Sequence, residues 1–514
     1  MSGRLSCLLL LPCVMAFAAC APTEPAPTTQ PNILMISVDD LNNWIEPLGG
    51  HPQAQTPNFA AFARQSMVFT RSFAASPSCN PSRTALMTGK APHVTGVYQN
   101  PQIWRHILPN EVTLPQYFRN AGYWAGGAGK NFHNNMPDPI SWDDYFPSKI
   151  RHMPEYFLPE LDPITGQAGF TLQDNEIRED DPKGVTFTMP PFDRMYIAFD
   201  FAPLPVSVEE TGDYSSVKWI SDQLKKSHDK PFFLAAGLYR PHLPWYVPQE
   251  FYDKFPLDQV QLPKTLAGDQ GDLPEGGKRT ANTPYHQKVE EAGLWREAVQ
   301  GYLASINYAD HLVGELLQAL EDSEYADNTI VVIYSDHGWQ LGEKEHWRKF
   351  ALWQNVLNTV MMVKVPDGIE GMDAGVFRPG ISNRGVSLVD IFPTLTELAG
   401  LPAKAGITGQ SLVPLLKEPD AAWDRPVVSV LGDKNYSVIQ GDWHLIRYDD
   451  EAQYELYNMA DDPEEWTNLA SLASQAERIR ELESYIPTDR APSVRTAPIR
   501  WADVLSGETK FYQD

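Results

Sequence analysis

The residues that could do chemistry in this chain begin with an Asp-Asp pair, an Asp-His pair and one cysteine. Asp39-Asp40 close the apolar run "PNILMISVDDL", and Asp336-His337 close a second one, "NTIVVIYSDHGWQLGE", far downstream. Either pair alone is also what a turn or a helix cap is made of. If the fold gathers both at one edge, the carboxylates repel one another and are costly to bury unless a cation sits between them. A donor set rich in oxygen and free of cysteine thiolates points to calcium or magnesium rather than zinc.

The cysteine is Cys79, in "SCNPSRTALMTG" (78 to 89). The chain has 4 cysteines; Cys7 and Cys13 fall in the first twenty residues and Cys20 closes them, so the rest of the chain owns only Cys79. With no partner for a disulfide, Cys79 is either a small buried hydrophobe or a reactive group. Thr84, Ala85 and Leu86 predict a helix beginning just after Pro81. A cysteine at a helix N-terminus with Arg83 one turn on sits in a positive field that favours anions, and a free thiol there would be an activated nucleophile.

These residues need a frame. The two apolar runs read as buried parallel strands, and "KPFFLAAGLYRPHLPW" as another that runs into a proline-rich loop. Helical periodicity marks "TPNFAAFARQSMVFTRSF", "VQGYLASINYADHLVGELLQALEDS" and "VSLVDIFPTLTELAGL". Strands alternating with helices predict an α/β sheet with helices on both faces and ligand groups at the strand C-terminal ends. The stretch from about 148 to 212, rich in Pro, Asp and Gly, reads as an insertion or long loop. Beyond about residue 400 the pattern changes to antiparallel hairpins followed by a helix, a smaller second unit. The expected division is thus 1–20, 21–30, 31–400 and 401–514.

Residues 1–20 place Arg4 before an apolar run and small residues, the pattern of a secretory signal. Its Ala18-Ala19-Cys20 ending resembles a bacterial lipoprotein signal, which implies lipidation of Cys20, membrane attachment through it, and a periplasmic or outer-membrane location; Phe17 departs from the usual aliphatic residue. Residues 21–30 form a Pro/Thr linker. With 66 acidic against 41 basic residues, a net charge of -25, the surface repels nucleic acid, so an anionic substrate needs a locally basic pocket.

Six stretches resemble one family. C-x-P-S-R at 79 to 83 resembles the signature of the formylglycine-dependent type I sulfatases, in which the cysteine is oxidised to formylglycine after translation. "PNILMISVDDL", "GKNFH", "YRPHLPW", "SDHGWQLGEKEHWRKF" and "YELYNMADDPEEWTNLA" are similar to that family's metal strands, middle motifs and C-terminal signature. Asp336-His337 and the spacing of "GKNFH" resemble the iduronate-2-sulfatase-like branch. The resemblance implies an alkaline-phosphatase-like fold: a large mixed sheet flanked by helices, with a smaller C-terminal antiparallel-sheet subdomain.

It also implies roles. Hydrated formylglycine at Cys79 would attack sulfur with one hydroxyl and expel sulfate with the other, beside one Ca²⁺ held by Asp39, Asp40, Asp336, His337 and residue 79. Arg83 would orient residue 79, Lys130 and Lys349 bind the sulfate, His133 take a proton during sulfate release, and His242 protonate the departing sugar oxygen. Tyr98, Asn100, Trp104, His106, Arg240 and His346 could line a sugar subsite or serve the framework. Many relatives have an acidic residue and an arginine where this chain has Gln354 and Asn358, which bears on local packing or substrate contacts. The implied partners are a sulfated oligosaccharide or polysaccharide, such as ulvan or a glycosaminoglycan fragment attacked from its end, and a formylglycine-generating enzyme. Two other readings stand beside this one: a phosphonate or phosphodiester hydrolase of the same superfamily, and a glycan-binding lipoprotein with Cys79 unmodified.

Overall fold

Apolar runs with no polar face are satisfied only when covered on both sides, as in the middle of a sheet. A computed structural model describes residues 30–133, 137–147, 199, 201–281, 284–369, 377–449, 453–494 and 496, and it puts both runs there. The expected signal, Cys20, almost all of the linker and most of the 148–212 region lie outside these residues.

In chain order the central sheet contains β1 (Asn32–Val38), β2 (Met67–Phe69), β3 (Trp124–Gly129), β4 (Asp144–Phe146), β5 (Phe232–Leu238), β6 (Thr329–Ser335), β7 (Met361–Lys364) and β8 (Gly380–Ser382). Their spatial order is β8-β2-β7-β6-β1-β5-β3-β4. β7 runs antiparallel to both its neighbours and the other ladders are parallel, so the sheet is mixed.

Strand periodicity divides β1 between two cores. Leu34, Ile36 and Val38 face one side, where they meet α2 (Gly212–Leu224) and α3 (Trp295–Glu321) through residues such as Val217, Ile220, Val299 and Leu303. Ile33 and Met35 face the other, packed with Leu86 and Met87 of α1 (Cys79–Thr88) and Ile391 and Phe392 of α4 (Ile391–Leu398). Helices therefore cover both faces, as the alternation of elements required.

Three local readings change. The helical segment beginning at Pro57 stops at Ala63, and Met67–Phe69 instead pairs with β7 and β8, because sheet pairing outweighs a short run's helical periodicity. Val386–Ser387 is a strand pair, and the helix after it starts at Ile391 once Ser387 and Asp390 have closed a capping box. Within the expected insertion, Phe201–Leu204 is a strand, parallel to Trp245–Pro248 just beyond His242.

After the large sheet come four antiparallel strands in sequence order, β9 (Val427–Leu431), β10 (Asn435–Gln440), β11 (Trp443–Tyr448) and β12 (Gln453–Asn458), then α5 (Ala476–Glu483). Leu412, Val413, Leu415 and Leu416 belong to the core of the large sheet.

Candidate active site

Four strands adjacent in the sheet, β6, β1, β5 and β3, run parallel and end at one edge. Ligand groups collect at such an edge in α/β folds. β1 delivers Asp39 and Asp40, β6 delivers Asp336 and His337, β3 delivers Lys130, and β5 leads into Tyr239 to His242.

Two of these ends touch backbone to backbone. A Cβ on Gly129 would lie 2.0 Å from the Gly237 carbonyl oxygen, and one on Gly237 would lie 2.2 Å from the Lys130 carbonyl carbon. Gly129 also has φ +70, which L side chains seldom adopt.

α1 begins at Cys79 itself, with Ser78 in extended conformation before it, rather than after Pro81. Pro81 is the third helical residue, still within the first turn, where a missing N–H costs no intrahelical bond. The Ser78 hydroxyl and the Asn80 backbone N–H both donate to Asn100 Oδ1, at 2.9 and 3.0 Å. All ten residues of the helix are buried.

Cys79 Sγ is the meeting point. Lys349 Nζ lies 2.8 Å from it, His337 Nε2 3.3 Å, and Lys130 Nζ and Asp40 Oδ1 each 3.9 Å. Cys79 also favours the charged form of His133, against burial. Lys349 Nζ donates to Asp40 Oδ1 at 2.7 Å and Lys130 Nζ donates to Asp39 Oδ2. Arg83 spans the cluster: Nε reaches Asp336 Oδ2 and one terminal nitrogen reaches Asp39 Oδ1, each at 2.9 Å, while the other donates to the Lys130 carbonyl. His242 Nε2 stands 3.8 Å from Asp40 Oδ2 and 4.0 Å from Asp39 Oδ2, its Nδ1 turned to the Leu243 carbonyl.

The charges shape one another. Burial works against the thiolate of Cys79, but Lys130 and Lys349 hold the thiol well below its ordinary range. Burial likewise opposes ionisation of Asp39, yet Lys130 and Arg83 keep it well below the usual carboxylate range. Asp40 goes the other way: burial lifts it to about 7, against Lys349, and Asp39 adds to the rise. Burial raises Asp336 to about 6 despite Arg83. Burial lowers His242 well below 6.5, with Lys130 and Lys349 adding to the fall, and burial lowers His133.

The arrangement fits a cation. Asp40 Oδ2 is buried with no hydrogen-bond partner. Ligand atoms of Asp39, Asp40, Cys79 and His242, and separately of Cys79, Asp336 and His337, lie within 4.8 Å of one another. His337 Nδ1 faces the Gly338 carbonyl at 3.0 Å, which turns Nε2 toward Asp40 and Asp336 at 3.4 and 3.6 Å. Carboxylates whose proton affinity has risen are those a divalent ion would relieve.

The expected catalytic and metal residues are thus brought together. Most of the expected sugar-facing residues have framework contacts. Trp104 stacks on Phe132 at 5.3 Å inside the core, and the Tyr98 hydroxyl donates to the Ala491 carbonyl from a cluster shared with the C-terminal sheet. Asn100 supports the helix that starts at Cys79. Arg240 is used locally, bonding the carbonyls of Tyr246 and His242 at 3.1 and 3.0 Å. His346 is buried edge-on to Trp353, and neither ring nitrogen has a hydrogen-bond partner. His106 is exposed.

Tyr302 escaped the sequence reading. Its hydroxyl donates to the Asp40 carbonyl at 2.8 Å and accepts from Asn42 N–H at 3.0 Å, gripping the turn in which Asp40 takes φ 59. A tyrosine in a long amphipathic helix carries no signal of that duty.

Comparison with known proteins agrees with this geometry. Residues 31–401 match the sulfatase family, and residues 342–491 match the C-terminal region of N-sulphoglucosamine sulphohydrolase. A sulfatase of Formosa agariphila is 32% identical over 490 residues, covering 90% of this chain and 87% of its own. The iduronate 2-sulfatase of Homo sapiens is 30% identical over 411 residues, covering 72% and 69%. The crystal structure of a phosphonate monoester hydrolase of Agrobacterium radiobacter shares the alkaline-phosphatase-like fold, with a TM-score of 0.64 at 22% identity over 88% of this chain and 94% of that one. With the family matched across the strands and the helix that build this site, the chain is a member of the type I sulfatases, enzymes that hydrolyse sulfuric esters.

Proposed function

We propose that this sulfatase removes O-sulfate from the ends of sulfated carbohydrate chains, using formylglycine made from Cys79 and a Ca²⁺ ion held by Asp39, Asp40, Asp336 and His337. The carrying observation is the setting of Cys79: a buried, unpaired thiol at a helix start with the Lys349 and Lys130 ammonium groups 2.8 and 3.9 Å away. A structural cysteine needs no such company. A carbohydrate substrate is supported by the relative that is an iduronate 2-sulfatase; algal polysaccharide and glycosaminoglycan fragments both fit that class.

Formylglycine, once hydrated, would supply one hydroxyl to attack sulfur and a second to expel the sulfate, and the cation would draw charge from both hydroxyl and sulfate oxygens. The chain's own groups do the rest. Lys130 and Lys349 hold the anion against residue 79, and Arg83 fixes Asp39 and Asp336 in place. Burial and the two lysines disfavour a proton on His242. A sulfate bound between it and the lysines offsets their field, so Nε2 can hold the proton the leaving sugar oxygen needs. His133, whose charged form Cys79 favours, would accept a proton from residue 79.

Conversion of Cys79 requires a maturing enzyme as partner. The pattern of residues 1–20 supports export with lipidation at Cys20, and hence a periplasmic or outer-membrane location.

Mass spectrometry of the tryptic peptide containing residue 79, from protein made in its native host, tests the reading. A mass about 18 Da below that of the cysteine form, with release of sulfate from sulfated oligosaccharides, supports it. An intact thiol in active protein overturns the formylglycine mechanism. Faster turnover of an aryl phosphonate ester than of 4-nitrophenyl sulfate would replace the substrate class.

A further inference from the structure

Lys349 reaches Cys79 from a loop that the central sheet does not carry. Between Gly342 and Gln354 this loop contains four non-glycine residues of positive φ, Lys344 (57), Glu345 (51), Arg348 (79) and Phe350 (74), two of them flanking Lys349. Such conformations persist only where surrounding structure over-determines them. Tyr285 and His286 brace its middle, through Arg348 and Trp347, and the C-terminal unit grips both its ends.

Four bonds make the grip. Gln354 backbone N–H donates to Glu465 Oε2 at 2.8 Å, and its side chain donates to the Pro463 carbonyl at 2.8 Å. Trp353 Nε1 donates to Glu455 Oε2 at 2.8 Å. Lys344 Nζ donates to the Glu465 carbonyl and pairs with Asp269 Oδ1 at 2.9 Å.

Glu465 is the hub. It is 2% exposed and has φ 59. Its second carboxylate oxygen accepts from His444 Nδ1, and His444 Nε2 in turn accepts from the Ser437 hydroxyl at 2.7 Å. Ser437, His444 and Glu465 are connected in the order of a hydrolytic triad. Ser437 and His444 are both 0% exposed, so no substrate reaches the serine. The chain of bonds leads instead from β10 and β11 through Glu465 to the Lys349 loop. The far side of the loop is tied to the nucleophile's own segment, where Phe350 N–H donates to the Pro77 carbonyl at 3.1 Å.

We infer that Glu465, seconded by His444 and Lys344, is a positioning residue that sets where the Lys349 ammonium stands relative to residue 79. The inference rests on the proposed role of Lys349 in holding the sulfate.

The test is a double-mutant cycle on purified, converted enzyme, reading kcat/KM for 4-nitrophenyl sulfate and the melting temperature of Lys349→Ala, Glu465→Ala and the double variant. Lys349→Ala is expected to lose roughly a thousandfold and Glu465→Ala roughly a hundredfold, the scale of a misplaced catalytic group. The double variant should be no worse than Lys349→Ala within about threefold, because both act through one ammonium group. Glu465→Gln should restore activity to within about fivefold of the parent, since the amide oxygen can accept from Gln354 and the amide N–H₂ can meet His444 in its other tautomer. Should Glu465→Ala fail to fold, Lys344→Met takes its place in the same cycle. Losses that multiply in the double variant, or full activity in Glu465→Ala beside an inactive Lys349→Ala, overturn this inference alone. Full activity in Lys349→Ala overturns the lysine's proposed role, and the inference with it.

Discussion

Arg83 Nε and Asp336 Oδ2 stand 2.9 Å apart with both side chains 1% exposed, an ion pair that joins the helix beginning at Cys79 to the end of β6. Removing one partner leaves the other charge buried and unpaired, and that costs about 3–5 kcal/mol. Arg83→Met is expected to shift the urea unfolding midpoint by a loss of that size. Arg83→Lys retains charge but not the fork that reaches Asp336, Asp39 and the Lys130 carbonyl together, so its activity on 4-nitrophenyl sulfate should still fall roughly a hundredfold.

Asn100 looks like a sugar contact in the sequence and is a helix support in the structure. Losing the bonds it accepts from Ser78 and Asn80 should cost about 1 kcal/mol, the usual value of a cap. Asn100→Ala is therefore expected to lower kcat by roughly tenfold with KM changed less than about twofold. A KM effect with kcat intact would return Asn100 to the substrate-contacting set.

Chelation should reveal what the carboxylates cost. In the cation-free site Asp40 is lifted to about 7 and Asp336 to about 6, above the value of 3.8 they have when unfolded. The native state then binds more protons than the unfolded one between about pH 4 and pH 7, so these groups make stability fall as pH rises across that window. Protein treated with a chelator should show this fall in thermal melts relative to protein with Ca²⁺, and added Ca²⁺ should restore both melting temperature and activity. Identical melting curves with and without the ion would remove the cation from the site.

His346 gives the opposite sign. Burial, with Arg348 and His286, depresses it to about 3. The unfolded chain protonates it near 6.5 while the native state does not, so its contribution is full above about pH 6.5 and is lost as pH falls toward 3, by about 1.4 kcal/mol for each pH unit crossed. His346→Leu should flatten the acid limb of stability against pH relative to the parent enzyme. An unchanged limb would mean that the ring is reached by solvent.

Much of this site was legible because its chemistry follows runs with a strong pattern. Asp39, Asp40, Asp336 and His337 each close a buried strand, and a parallel sheet must bring such ends to one edge. Less legible was whatever depends on a neighbour from elsewhere in the chain. Trp104 and Tyr98 have the residue types of a sugar platform, and only the packing of Phe132 and the C-terminal sheet shows that both are consumed by the core. The helix starts at Cys79, three residues before the position its sequence suggests, because Pro81 suits any position of a first turn. Tyr302 and Glu465 act across spans of sequence that no local spacing records.

The close approach of Gly129 and Gly237 has a consequence for anyone scanning the protein for loss of function. Neither residue has a side chain to hold substrate or carry a proton, yet alanine at either one would drive apart the strand ends that lead to Lys130 and to His242. A screen that scores only activity would return these two positions beside Cys79 and Arg83, and would count as chemistry what is in fact the omission of a single carbon atom.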